Sequence, residues 1–178
     1  MLFGFLKINM KKIVIISATS GRNYILSKDI YSLLKELKVS VEIINLEKYD
    51  IPLFTAVNYD TMKSDIGKTI DSVVSSLVSS DGIIVCAPEY NGNIPPIVNN
   101  MIAWISVSTP NWRDGFINKI SLVASNSGGA AYKFNISMKN QLEHLGSVVY
   151  PRFVCVNDNN PLNIGSVKKI LKDFIKLL

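Results

Sequence analysis

The sequence predicts an α/β fold: a three-layer α/β/α sandwich around a five-stranded parallel sheet. Apolar, β-branched runs of strand length alternate along the chain with segments whose apolar residues recur at helical spacing, the pattern of strands joined by crossover helices. The strand runs are apolar throughout, as strands covered on both faces are. The 178 residues carry no Pro- or Ser-rich linker and fall within the usual size of one domain, so residues 1–178 read as a single unit. A chain of this length buries about 70% of its unfolded surface and needs no disulfide staple.

The opening MLFGFLKINM is apolar but too short to span a bilayer and lacks a small-residue cleavage site. Residues 1–10 therefore read as an N-terminal extension, with Met10 as an alternative start. KKIVIISA, from Lys11, is the first strand, and LSKDIYSLLKEL follows as a helix with Leu26, Ile30, Leu33, Leu34 and Leu37 on one stripe. VSVEIINL, from Val39, is the second strand. After a mixed loop holding Pro52 and Phe54, DIGKTIDSVVSSLVSS reads as one helix on Ile66, Ile70, Val73, Val74, Leu77 and Val78. GIIVCA is the third strand, and a helix over about Pro95 to Ser106 starts with paired prolines. KISLVAS, from Lys119, is the fourth strand, and AYKFNISMKNQLEHLG is a helix closed by Gly146, a residue suited to the left-handed position past a helix end. SVVYPRFVCV reads as one last strand and IGSVKKILKDFIKLL as the last helix.

Nineteen basic against 14 acidic residues give a net charge of +5. The lysines are scattered over helix faces without the interleaved aromatics of a base-stacking surface, so no nucleic acid is expected as a partner. No membrane is expected either. Cys86 and Cys155 sit far apart inside apolar runs, which points to reduced thiols and a cytoplasmic protein. The one histidine, His144, sits near a helix end. With no second histidine and no cysteine cluster, no metal site is expected, and no G-x-S-x-G elbow accompanies it. Met101, Ile102, Trp104 and Ile105 crowd one helix, and an apolar surplus there predicts a subunit contact.

In an open parallel sheet of strand order 2-1-3-4-5, a ligand binds outside the carboxyl ends of the strands, between the first and third. Three loops meet there. The first, SATSGRNYILS, offers the hydroxyls of Ser17, Thr19, Ser20 and Ser27 with Gly21, Arg22 and Asn23 between them, and leads into a helix start whose free N–H groups favour an anion. Taken alone, it also fits a plain N-cap beside a solvated arginine. It is neither a P-loop nor a G-x-G-x-x-G fingerprint. The second, PEYNGN, runs over Pro88, Glu89, Tyr90, Asn91, Gly92 and Asn93. Gly92 permits positive φ or close approach of backbone to a ligand, and Tyr90 offers an aromatic face; a structural turn with an exposed tyrosine is the alternative. In the third, SNSGGAAY, Ser125 and Ser127 precede the bare backbone of Gly128 and Gly129, which suits a flat ligand or a flexible turn.

PEYNGNIPPIVNNMIAWIS closely resembles the P-E-Y-N-G-S-x-P-x-x-x-K-N-x-I-D-W motif of the NADPH-dependent FMN reductase family, through Asn100, Ile102 and Trp104. The order of elements agrees from Lys12 to about Tyr150, and SNSGGAAYKFNISMKNQLEHLG resembles the family's Gly-Gly segment and following helix. The first loop departs from the family's G-S-x-R-x-x-S-x-N, with Ser17 where the glycine would fall and Arg22 and Ser27 spaced differently. No aromatic precedes the Gly pair. The resemblance implies a flavodoxin-like fold and FMN as cofactor. It implies that Ser17, Thr19, Ser20, Arg22 and Ser27 hold the phosphate, with Asn23 beside them. Glu89 to Gly92, flanked by Pro88 and Asn93, would hold the isoalloxazine, with Ser125, Ser127, Gly128 and Gly129 at its other edge. NADPH or NADH would deliver hydride to flavin N5, so no catalytic side chain is required. A small acceptor (flavin, quinone, azo compound or metal ion) would take the electrons, in a homodimer or homotetramer. The rival is a flavodoxin-like electron carrier without NAD(P)H oxidation of its own; such carriers are typically acidic, and the +5 charge disfavours it.

Overall fold

The structure, a computed structural model, describes residues 10–178; residues 1–9 of the N-terminal extension lie outside the described residues. Among the described residues, six strands form one parallel sheet: β1 (Lys12–Ser17), β2 (Ser40–Asn45), β3 (Gly82–Cys86), β4 (Ile120–Asn126), β5 (Val148–Val149) and β6 (Val154–Val156). The order is β2-β1-β3-β4-β5, with β6 also on β4. The expected order therefore stands, on six strands instead of five.

Alternation along each strand sends neighbouring residues to opposite faces. Val14, Ile16, Ile83, Val85 and Val123 pack on one side with the helices α2 (Ala56–Thr69), α3 (Asp71–Val78), α4 (Pro96–Ser108) and α5 (Tyr132–His144). Ile13, Ile15, Ile84, Cys86 and Leu122 pack on the other with α1 (Arg22–Glu36) and α6 (Ile164–Ile175). Both faces are thus filled, which is why the runs read as continuously apolar. Gly146 takes φ 90° past the end of α5, as its position in the sequence predicts.

Three elements differ from the sequence reading. The first helix, read from Leu26, begins at Arg22, so Asn23 and Ser27 lie inside it. Residues 56–64, read as loop, are helical, and the single helix expected over 65–80 is two, parted at Ile70, whose ψ of 7° leaves the helical region. The cause is packing: α3 lies on the sheet through Val73 and Leu77, whereas α2 buries only Ile66 and rides on α4. The apolar stripe continues across the joint, so periodicity alone does not reveal it. The last strand is likewise two. Val148 pairs with Ile120 and Val154 with Ala124, so the chain loops out of register around Pro151, which has no N–H for the ladder.

Met101, Ile102, Trp104 and Ile105 are all buried within the chain, at 7% exposure or less. The expected apolar surplus on this helix does not exist, and it supplies no argument for a homodimer or homotetramer.

Cys86 is fully buried, whereas Cys155 is only half-buried; both are free. Burial pushes the Cys86 thiol up to about 12, a hydrogen bond with Ser27 opposing this slightly. A folded-state value above the unfolded one means that stability is full below the unfolded pKa, about 8.5 to 9, and is lost as pH rises toward the folded value. We expect the melting temperature to fall above that pH, and less so in Cys86→Ala. At about pH 8 a thiol reagent should label Cys155 first in the folded protein, because only a thiolate reacts. Faster labelling of Cys86 would contradict its burial.

Candidate functional site

At the carboxyl ends of β1, β3 and β4 a cleft of about 390 Å³ opens, lined by residues that include Thr19, Gly21, Arg22, Pro88, Tyr90 and Gly128. This is the position the switch-point rule requires, and the volume lies in the usual range of about 300 to 1,000 Å³ for ligand pockets. A larger open groove of about 760 Å³ lies at the far ends of α2 and α4, lined by Lys63, Lys68, Asp71 and Ser108 among others. No strand end faces it, and the start of α3 that does already carries the acidic Asp71.

The first loop brings α1 to the cleft by its N-terminus. Gly21 caps the helix without any side-chain bond, and among the described residues the N–H groups of Gly21, Arg22 and Asn23 have no acceptor within the chain. An anion fits such a start. Arg22 stands at the rim, exposed, its Nη1 3.1 Å from Asp158 Oδ1. Thr19 is half-buried on the cleft wall.

Not every predicted phosphate ligand is free. Ser17 is buried and its Oγ donates to the Thr19 carbonyl at 3.0 Å; Ser27 is buried and its Oγ donates to the Asn23 carbonyl at 2.8 Å. The Ser17 hydroxyl holds the loop's shape from beneath, and the Ser27 hydroxyl bonds one turn back inside α1. Asn23 is 2% exposed and spans to the third loop, its Nδ2 donating to the Asn126 carbonyl and its Oδ1 accepting from the Asn126 N–H, each at 2.8 Å. Ser20 is exposed, but its N–H donates to Glu47 Oε2 at 2.6 Å and its Oγ accepts from Asn45 Nδ2 at 3.0 Å.

In the second loop Asn91 (φ 50°) and Gly92 (φ 72°) are the central pair of a two-residue turn closed by reciprocal bonds between Tyr90 and Asn93. Two consecutive positive φ values are what a type I′ turn needs, and Asn-Gly is its preferred pair. The turn stands at the tip: Asn91, Gly92 and Asn93 do not line the cleft, and a Cβ on Gly92 would meet the Lys133 side chain at 3.0 Å. The N–H groups of Glu89, Tyr90, Asn93 and Ile94 are spent on partners inside the chain, which leaves Asn91 and Gly92 as the loop's donors.

Glu89 lines the cleft, but its carboxylate is committed to the neighbouring helix. Its Oε2 accepts from the Phe134 N–H at 2.9 Å, supplying the anionic cap that α5 lacks because Ala131, at φ 49°, precedes it without a capping side chain. We expect Glu89→Ala to cost about 1 kcal/mol of stability, the usual loss for an N-cap, and Glu89→Gln much less, read by denaturant melts. Equal losses in both variants would mean that the contact is not a cap.

The third loop is tied to the second by a chain of bonds: Ser125 Oγ to Ser127 Oγ at 2.9 Å, and the Glu89 N–H to Ser127 Oγ at 2.7 Å. Ser125 is therefore a buried support, and Ser127 faces the cleft. A Cβ on either Gly128 or Gly129 would meet nothing within 4 Å, and neither has positive φ. Bare backbone at these two positions answers to no neighbour in the chain; it leaves open space. Gly128 lines the cleft, and Gly129 stands just outside it, its carbonyl accepting from Asn157 Nδ2 at 3.1 Å.

Sequence reading missed Glu47, which lines the cleft from just after β2, and Asp158, which pairs with Arg22 at its rim; neither had a signal in the sequence. The distal residues of the motif serve elsewhere: Asn100 and Trp104 bind the segment after β2, through the Phe54 N–H and the Pro52 carbonyl.

An open parallel sheet, an anion-accepting helix start and a flat slot beside it define a nucleotide-cofactor α/β protein of flavodoxin-like architecture. The profile of the NADPH-dependent FMN reductases matches residues 10–160, and the chain belongs to that family. It is accordingly an NAD(P)H-dependent flavin oxidoreductase with FMN as cofactor. Among solved structures, FerB, a flavoenzyme NAD(P)H:(acceptor) oxidoreductase from Paracoccus denitrificans, superposes with a TM-score of 0.71 at 18% identity, over 94% of this chain and 96% of its own. An FMN-dependent NADH-azoreductase from Bacillus anthracis str. Ames Ancestor, in complex with FMN, gives 0.63 at 15% identity, over 94% and 96%. A flavodoxin from the domain Archaea gives 0.61 at 17%, over 94% and 99%. At these identities the likeness shows the fold. No curated protein matches the chain.

Among the described residues, no helix is long and apolar enough to cross a membrane.

Proposed function

We propose that the cleft holds FMN with its phosphate at the start of α1 and its ring over Gly128 against Pro88 and Tyr90, and that the protein passes electrons from NAD(P)H to a small acceptor. The observation that carries this reading is the open space over Gly128 and Gly129, beside a helix start with unpaired donors. The phosphate would take the N–H groups of Gly21 to Asn23, the Thr19 hydroxyl and the Arg22 guanidinium. Main-chain donors at Asn91 and Gly92, at the tip beyond Tyr90, would serve a polar ring edge that extends past the cleft mouth. Ser17, Ser27 and Ser125 act one step back, and Asn23 and Ser127, on the cleft wall, tie the loops together, so that these groups are held in place before the ligand arrives.

Bound FMN supplies the hydride acceptance and electron release. The chain's own residues bind and orient it, and Pro88 and Tyr90 exclude water from one side. The azoreductases among the structural neighbours favour an azo compound as one candidate for that small acceptor. The test is an absorbance spectrum of protein incubated with FMN and freed of excess, followed by NADPH without air. A retained flavin band that bleaches on NADPH addition is expected. Failure to retain any flavin would overturn the site; retention without bleaching would overturn the NADPH reaction.

A further inference from the structure

Beside the free N–H groups of Gly21 to Asn23, two donors at the start of α1, the Ser20 N–H and the Arg22 guanidinium, already hold carboxylates. Glu47 comes from a 3-10 turn (Leu46–Lys48) directly after β2, on the neighbouring strand. Asn45 organises the contact: its Oδ1 accepts from the Glu47 N–H at 3.2 Å and its Nδ2 donates to Ser20 Oγ at 3.0 Å. The Glu47 carboxylate then accepts from the Ser20 N–H at 2.6 Å. On the other side of the loop, Asp158 holds the Arg22 guanidinium. No acidic residue lies in the first turn of α1 itself, so these two carboxylates supply the negative charge that a helix start attracts.

We propose that Glu47 is a specificity-determining residue of this site, one that lowers affinity for phosphorylated flavin relative to the unphosphorylated form and so makes FMN an exchangeable cofactor. The inference rests on the FMN site described above. A phosphate dianion brought to the α1 start has two courses. It displaces the carboxylate from the Ser20 N–H and gives up a charge-assisted bond, or it sits beside the carboxylate and is repelled. Either course weakens FMN. Neither touches riboflavin, which carries no phosphate.

The test is titration of FMN and riboflavin, followed by quenching of flavin fluorescence, on wild type, Glu47→Gln and Glu143→Gln. Glutamine keeps the shape and one acceptor oxygen and removes the charge. Glu47 is exposed, so the variant folds, and melts check this. Glu143→Gln makes the same change in net charge at the far end of α5, where Glu143 pairs with Lys139. We expect Glu47→Gln to tighten FMN about tenfold or more with riboflavin unchanged within twofold, and Glu143→Gln to change neither. Unchanged or weaker FMN binding in Glu47→Gln would overturn the proposal. So would an equal shift for both flavins, which marks a structural effect, or an equal gain in Glu143→Gln, which marks the overall field. Binding of neither flavin by any of the three proteins would overturn the FMN site itself and this inference with it, a pattern distinct from the others.

Discussion

Trp104→Ala is expected to destabilise the protein by about 3–5 kcal/mol, the range for deleting a buried aromatic side chain. Trp104 has no exposure, stands 5.0 Å from Phe54 in an edge-to-face pair, and donates from Nε1 to the Pro52 carbonyl at 2.9 Å. Removing it leaves a cavity between α4 and the segment after β2. Against a total stability of about 5–15 kcal/mol this is a large fraction. It corresponds to a drop in melting temperature on the order of 10 °C for a chain of this size. Trp104→Phe keeps much of the volume and loses the hydrogen bond, so it should cost less and gives a foldable comparison if the alanine variant does not express. A Trp104→Ala protein melting within about 2 °C of wild type would show that this clamp carries little of the stability.

Gly128→Val is expected to reduce FMN affinity at least hundredfold while leaving the apoprotein's melting temperature unchanged. A Cβ at this position meets nothing within 4 Å and φ is not positive, so the folded chain accepts the side chain without strain. The same branched side chain fills the slot assigned to the flavin ring. A hundredfold loss is about 2.7 kcal/mol, at 1.4 kcal/mol for each factor of ten. The readout is an FMN titration beside a thermal melt of wild type and variant. Retained affinity in a well-folded Gly128→Val protein would remove the ring from this slot. A lowered melting temperature with retained affinity would make the Gly pair a structural turn instead.

Much of the fold was legible because its signals are local. The runs IVIIS, IIVC and SLVAS are apolar on both faces because the sheet is covered on both, and the stripe Leu26, Ile30, Leu33, Leu34 in α1 follows from one buried helix face. The three loops of the cleft were legible for the same reason. Each sits where a strand's apolar run ends, and the positive φ at Gly92 follows from Asn-Gly chemistry alone.

What these loops do with their side chains was not legible, because it depends on which strand ends the sheet places side by side. Glu89 reads as a ring-holding residue in the motif, yet it caps α5, since Ala131 begins that helix without a cap of its own. Ser17 and Ser27 read as phosphate donors, yet burial, of one under the loop and of the other inside α1, commits both hydroxyls to main-chain carbonyls. The break at Ile70 escapes periodicity because it turns on α3 lying against the sheet and α2 lying against α4.

The sequence by itself determined the alternation of strands and helices, the place of the cleft and its glycines, for each of these follows from residues adjacent in the chain. Only the tertiary structure decided that Asn23 bridges to Asn126, that Asn100 and Trp104 clamp the segment after β2, and that Glu47 reaches Ser20. These contacts join residues far apart in sequence, and a hydrogen bond of about 3 Å leaves no trace in composition or spacing until parallel pairing has set the two ends in register.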